Sequence, residues 1–153
     1  MLNLDEVDRK ILRVLQQNGR LSNAKLAEKI NLSPSACLRR LHMLLEGHLV
    51  DGTYLVLDQK AAGFPGTAYV FITLERQDRI QLDTFEARVK LVPQVQECYL
   101  LAGQADYLLR VVYNGAEDLE RLHTEVLTRL PGLMRVQSIF TLRTVKRTTQ
   151  LPL

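Results

Sequence analysis

Residues 21–46 read Leu21-Ser-Asn-Ala-Lys-Leu-Ala-Glu-Lys-Ile-Asn-Leu-Ser-Pro-Ser-Ala-Cys-Leu-Arg-Arg-Leu-His-Met-Leu-Leu-Glu46, two helical patterns joined by a tight turn. Ser22 stands as N-cap of the first, whose apolar positions Ala24, Leu26, Ala27 and Ile30 fall largely on one face. Asn31-Leu32 breaks that period. Ser33-Pro34 restarts it, with Ser33 as N-cap and Pro34 at the first helical position, where a missing N–H costs nothing. Cys37, Leu41, Leu44 and Leu45 follow at helical spacing and point inward, leaving Ser35, Ala36, Arg39, Arg40 and His42 facing out.

The outward set suits a DNA major groove. Small residues at the helix start let the backbone approach, and Ser35 reaches a phosphate or a base edge. Arg39 and Arg40 have the reach and charge to grip phosphate or the O6/N7 edge of guanine, with His42 as a further phosphate contact. Between Arg20 and Met43 five basic residues face one acidic residue, Glu28. The expected DNA-facing set is Ser22, Asn23, Lys25, Ser33, Ser35, Ala36, Arg39, Arg40 and His42. The same pattern also describes a solvated helical hairpin in any small α domain, so the remainder of the chain has to decide.

Upstream, Leu4, Val7, Ile11, Leu12, Val14 and Leu15 give a further helical stripe over residues 4–17. Asp5, Glu6 and Asp8 sit in its first turn, where negative charge favours the helix dipole, and Asn18-Gly19 ends it. Three helices are the smallest set that buries a helix-turn-helix. Downstream, Gly47 closes the third helix and residues 49–58 turn β-branched and aromatic, which predicts a strand and hinge. Gln59 to Gly66 reads as a loop.

From Thr67 strands and helices alternate. Residues 68–74, 95–101, 107–113 and 134–145 read as strands, with amphipathic helices at 78–91 and 116–130. Pro93 stops the first of these helices and Pro131-Gly132 the second. The order β-α-β-β-α-β is the ferredoxin-like split motif, one antiparallel sheet with both helices on one face. The expected class is therefore α+β: a three-helix winged helix-turn-helix domain over 1–49, a strand hinge over 50–66, and a ferredoxin-like domain over 67–153. On the first strand of that domain Tyr69, Phe71 and Thr73 alternate with Val70, Ile72 and Leu74, so both sheet faces carry apolar side chains. A second copy is the cheapest cover for the outer face, and a dimer would pair two recognition helices on a palindromic site.

Bulk composition narrows the field without deciding it. The 153 residues carry a net charge of +3, split +1 over residues 1–58 and +2 over 59–153, compatible with nucleic acid but too mild to require it. Cys37 and Cys98 lie in apolar periodic segments with neither metal spacing nor a disulfide framework, which reads as two buried thiols in a reducing compartment. No signal peptide precedes residue 4 and no apolar run has membrane-spanning length, so the expectation is a cytoplasmic protein with no membrane partner. His42, His48 and His123 belong to no triad or metal motif, and no glycine-rich phosphate loop occurs. No catalytic residue, metal or cofactor is expected.

Several pieces, in register over about 130 residues, resemble the leucine-responsive regulator/AsnC (Lrp/AsnC) family of transcription factors. They are Leu4 to Leu12, Asn18-Gly19-Arg20, Leu26-Ala27, Leu32 to Leu41, Gly103 to Leu109 and Leu130-Pro131-Gly132. Two positions depart from the family pattern. The family usually has glycine where His48 stands, one residue after Gly47 here, and commonly proline where Ala36 stands. The resemblance implies dimers that assemble into octamers or similar discs, and a small effector, commonly an amino acid, bound between dimers near a Gly-x-x-Asp turn. Carried over by position, the effector set is Gly103, Gln104, Ala105, Asp106 and Tyr107, with Gln137, Ser138, Ile139, Phe140 and Thr141 on the last strand. A plain hairpin turn explains Gly103 to Asp106 equally well. Sirohaem decarboxylases share the two-domain layout and form the enzymatic alternative. They need histidine and basic residues in the inter-domain or dimer cavity, for which the second domain offers only His123 and Arg110 near plausible positions.

Overall fold

A computed structural model describes residues 3–153; Met1 and Leu2, counted with the first domain on sequence, lie outside the described residues. The chain divides into two compact units, residues 1–55 with 145–153, and residues 56–144.

The helical unit contains α1 (Glu6–Gln17), α2 (Asn23–Ile30) and α3 (Pro34–Glu46). Each start is fixed by a side chain the sequence marks. Asp5 and Asp8 form a reciprocal capping box on α1, which is why that helix begins at Glu6 rather than at Leu4. The Ser22 hydroxyl accepts from the Lys25 N–H and the Ser33 hydroxyl from the Ala36 N–H, with Pro34 in the first turn of α3. Asn31 ends α2 in the left-handed region at φ 58°. The apolar stripes of the three helices meet in a core of Ile11, Leu12, Leu26, Ala27, Ile30, Cys37 and Leu44.

After α3, Gly47 keeps a negative φ of −74° and the left-handed conformation falls on His48, at φ 53°. This is the position where the resembling family places glycine. A β-carbon there meets the following carbonyl, so the chain turns at the helix end under local strain.

Residues 49–58, expected as a strand, form no ladder among the described residues. Tyr54 and Val56, each 74% exposed, find no neighbouring strand among the described residues, and β-propensity alone does not make a strand without a hydrogen-bonding partner. The expected last strand is also shorter. It stops at Phe140 because its partner runs out: Thr141 N–H makes a last bond to Thr67 O, one residue from the end of the neighbouring strand.

Residues 145–153 group with the helical unit instead of the sheet domain to which the sequence reading gave them. Gln16 on α1 holds Leu151 at both ends, its Nε2 donating to Leu151 O at 3.2 Å and its Oε1 accepting from Leu151 N–H at 2.6 Å. Arg13 donates to Leu153 O at 3.1 Å, and the Leu153 side chain packs against the helical core.

The second unit contains β1 (Gly66–Leu74), α4 (Arg79–Val89), β2 (Val95–Leu100), β3 (Tyr107–Tyr113), α5 (Ala116–Arg121) and β4 (Leu133–Phe140). Helix α5 runs on as a π-helical turn (Leu122–Val126) and a 3-10 turn (Leu127–Arg129), covering the span expected as one helix. The sheet is antiparallel throughout, in the order β2-β3-β1-β4 of the split motif. Ala68, Val70, Ile72 and Leu74 from β1 and Leu109 and Val111 from β3 pack with Phe85, Val89, Leu122, Leu127 and Leu130 from the helices. Gly132 at φ 70° turns the chain from Pro131 into β4, and the Gln81 amide fills the space its β-carbon would need. No helix among the described residues is long and apolar enough to cross a membrane.

Candidate functional site: a recognition helix and a hollow on the open sheet face

On α3 the side chains expected to face outward separate into two kinds. Ser35, Arg39 and His42 are exposed and Ala36 is half-buried. Arg39 has no ion-pair partner among the described residues. Arg40 differs: its Nη1 donates to Asp5 Oδ2 and to Asp8 Oδ1, each at 2.7 Å, and Asp8 is 6% exposed. Residues 39 and 40 are neighbours in sequence, but a helix turns about 100° per residue. Arg40 therefore lies on the flank of the inward face, one turn from Cys37 and Leu44, and is spoken for by two carboxylates. Sequence alone groups Arg40 with Arg39; in the structure Arg39 is exposed and Arg40 is held by Asp5 and Asp8.

Three other members of the expected set do structural work. Asn23 Nδ2 donates to Pro34 O at 2.8 Å, tying α2 to the start of α3. Ser22 and Ser33 use their hydroxyls as caps, and Ser33 Oγ lies 3.2 Å from Ser35 Oγ. Lys25 is exposed.

Strand register settles the second unit. Tyr69, Phe71 and Thr73 on β1 stand opposite Ile139, Gln137 and Arg135 on β4, on the face away from the helices. Beyond them on the same face lie Leu108, Arg110, Tyr99 and Glu97. Arg110 Nε donates to Glu97 Oε1 at 2.7 Å and Tyr99 donates to Glu97 Oε2 at 3.2 Å, a polar strip beside an apolar field. At one end of this face a hollow of about 360 Å³ is lined by Phe71, Thr73, Leu101, Gln104, Ala105, Arg135, Gln137 and Ile139. Arg135 is steered along the strand by donating to Gln137 Oε1 at 3.3 Å.

Of the expected effector set, the hollow gathers Gln104, Ala105, Gln137 and Ile139. Asp106 is buried and faces β1 instead: its Oδ2 accepts from Leu74 N–H and its Oδ1 from Gln77 Nε2, both at 2.7 Å. Gly103 shares the turn but not the lining. Tyr107 points into the helix-side core, its ring 4.5 Å from that of Phe85 and its hydroxyl donating to Glu86 Oε1 at 2.9 Å. Burial and the Glu86 carboxylate push that phenol far above its ordinary value. Ser138 and Phe140 lie on the helix side beside Leu119 and His123, and Thr141 closes the ladder. Alternation along 135–141, applied with period two, keeps Gln137 and Ile139, drops Ser138 and Phe140, and adds Arg135, which the expected set lacked. His123 and Arg110, the two residues named for the decarboxylase alternative, lie on opposite faces of the sheet.

Comparison with known proteins matches two family modules along the chain, the second of which runs into the segment that groups with the helical unit. Residues 4–45 match the AsnC-type helix-turn-helix domain and residues 67–151 the Lrp/AsnC ligand binding domain. The chain is 38% identical to the Bkd operon transcriptional regulator of Pseudomonas aeruginosa over 153 residues, covering 100% of both. It is 37% identical to the transcriptional regulator AzlB of Bacillus subtilis, covering 98% of this chain and 96% of that one. Among solved structures, a transcriptional regulator of Neisseria meningitidis in complex with L-Met superposes with a TM-score of 0.93 at 35% identity, covering 98% of this chain and 97% of that one. With these relatives named as transcriptional regulators, and with a DNA-binding and a ligand-binding module both matched, the chain belongs to the Lrp/AsnC family of transcriptional regulators.

Proposed function

We propose that this regulator binds a palindromic DNA site through α3 and that an amino acid, seated in the hollow on the open sheet face, sets its assembly or its DNA affinity. The observation that carries the effector reading is the hollow's lining. Arg135 offers a charged fork for a carboxylate, Gln104, Gln137 and Thr73 offer neutral partners for an ammonium group, and Phe71, Leu101 and Ile139 offer an apolar wall for a side chain. The L-Met bound to the Neisseria relative supports the same ligand class.

The hollow is open because the sheet face is open. A second copy laid over Tyr69, Phe71, Tyr99, Leu108 and Ile139 buries that apolar field and at the same time roofs the hollow. Ligand occupancy and assembly, from dimer to octamer or a similar disc, are then linked by mass action. In this reading Ser35, Ala36, Arg39 and His42 meet the groove, while Lys25 and the cap ends at Ser22 and Ser33 lie toward the backbone. The protein works in the cytoplasm, as a DNA regulator must.

The test is protection of genomic fragments by the purified protein, repeated with each of the twenty amino acids. A protected palindrome whose occupancy shifts with one or a few amino acids is the expected result. Absence of specific protection at low salt overturns the regulator reading, and protection that no amino acid shifts overturns the effector class.

A further inference from the structure

We propose that Asp5 and Asp8 act on DNA recognition through Arg40, which is a positioning residue of the recognition helix and not a DNA contact. The inference rests on the assignment of α3 as the DNA-reading helix and goes beyond it. The Arg40 guanidinium bridges two carboxylates of the α1 capping box at 2.7 Å each. One of those carboxylates, Asp8, is buried, so releasing Arg40 to a phosphate would strand an unpaired charge inside the helical unit.

Helix α3 packs more extensively on α2 than on α1, and the Arg40 bridge is the side-chain polar tie between α1 and α3 among the described residues. At the start of α3, Asn23 holds the Pro34 carbonyl in the same manner. Two polar struts therefore fix the helix that presents Arg39, one at its first turn and one at its middle. The pitch of α3 and the direction of Arg39 depend on both.

This arrangement makes a prediction of unexpected sign. Asp5 and Asp8 are negative charges on a DNA-binding unit, and by charge alone their removal strengthens binding to every duplex. As supports for Arg40, their removal weakens specific binding. Lysine also discriminates. It keeps the positive charge, but its stem is one bond shorter and its ammonium stops short of the place where the single Arg40 Nη1 meets both carboxylates, so a phosphate contact survives Arg40→Lys and a positioning role does not.

The experiment measures affinity of the full chain for its protected fragment and for a random duplex, over a series of salt concentrations, in Asp5→Asn, Asp8→Asn, Arg40→Lys, Arg40→Gln and Arg39→Gln. Far-ultraviolet circular dichroism confirms folding, and Asp5→Asn, at an exposed carboxylate, stands in if Asp8→Asn does not fold. Expected is a loss of about fivefold or more in specific affinity for the Asp5 and Arg40 variants, with random-duplex affinity and salt slope unchanged. Arg39→Gln instead lowers the salt slope by about one. The proposal is overturned if Arg40→Gln lowers the slope by about one, if Arg40→Lys binds as wild type, or if the aspartate variants bind both DNAs more tightly. An Arg39→Gln variant that binds as wild type removes the assignment of α3 itself, a separate and recognisable failure.

Discussion

Asp106 Oδ2 accepts the backbone N–H of Leu74 at 2.7 Å, fastening the turn between β2 and β3 to the end of β1. The bond is buried, and Asp106 N–H donates in turn to Ile72 O at 2.8 Å. The acid of the Gly-x-x-Asp turn is thus a splint for the wall of the hollow. Asp106→Ala leaves the Leu74 N–H unpaired and is expected to destabilise the sheet unit by about 1–3 kcal/mol, read by urea unfolding. Asp106→Asn, which keeps an acceptor, should lose less.

Arg135 projects into the hollow that Asp106 supports without touching it. Arg135→Ala is expected to weaken binding of whichever amino acid shifts DNA occupancy by about tenfold or more, the worth of one charge-assisted bond, in isothermal titration. Unfolding stability should stay near that of the parent chain, because the side chain is exposed. Equal ligand affinity in both proteins would remove the carboxylate role.

His48 occupies a left-handed conformation at φ 53°. His48→Gly relieves the β-carbon clash while adding chain entropy to the unfolded state, and the first effect is the larger. A gain of up to about 1 kcal/mol in stability of the helical unit is expected from thermal unfolding. A loss would mean that the His48 side chain makes a contribution the helix end does not reveal.

The Asp8 N–H, and after it the Arg40 guanidinium, hold the Asp5 carboxyl below its ordinary value of 3.8. Folded Asp5 titrates below unfolded Asp5. Its stabilising contribution is complete above the unfolded value and disappears as pH falls through the lower, folded one. Asp118, lowered by the Asn114 N–H and then by Arg121, has the same sign in the sheet unit. Acid unfolding of Asp5→Asn should therefore show a shallower loss of stability below pH 3.8 than the parent chain.

Cys98, expected on sequence to be a buried thiol, is instead exposed at the residue level because β2 is an edge strand, and partial desolvation first and then the Glu86 carboxylate push its thiol up to about 11. At pH 8 only about one thiol in a thousand is ionised, so alkylation by iodoacetamide should run far slower than for a free cysteine. Cys37, buried in the helical core with its thiol also raised by desolvation, should react only on unfolding. Mass spectrometry of timed samples checks both.

The helical unit was legible in sequence because its signals are local. A cap hydroxyl, a proline in the first turn and an apolar stripe each act within one or two helical turns, and Ser22, Ser33 and Pro34 stand where the sequence placed them. The Arg40 bridge was not legible because its partners, Asp5 and Asp8, lie more than thirty residues away. In the sheet unit the order of elements was visible, but the hollow is made where β1 and β4 pair, and pairing is not written in either strand alone. The lining by Phe71, Thr73 and Arg135 was not legible for that reason, and that by Leu101 because the β2–β3 turn is brought to them only by the fold. The segment 49–58 failed for the converse reason, having a strand's residues and no strand beside it.

The return of residues 145–153 to α1 reverses the expected order of biosynthesis. During vectorial translation the three helices emerge first, yet the unit they form is finished last. Arg13 and Gln16 wait for Leu151 and Leu153 until the whole sheet unit has been made. A nascent chain halted after β4 displays a DNA-reading module whose first helix still lacks the segment that binds along it.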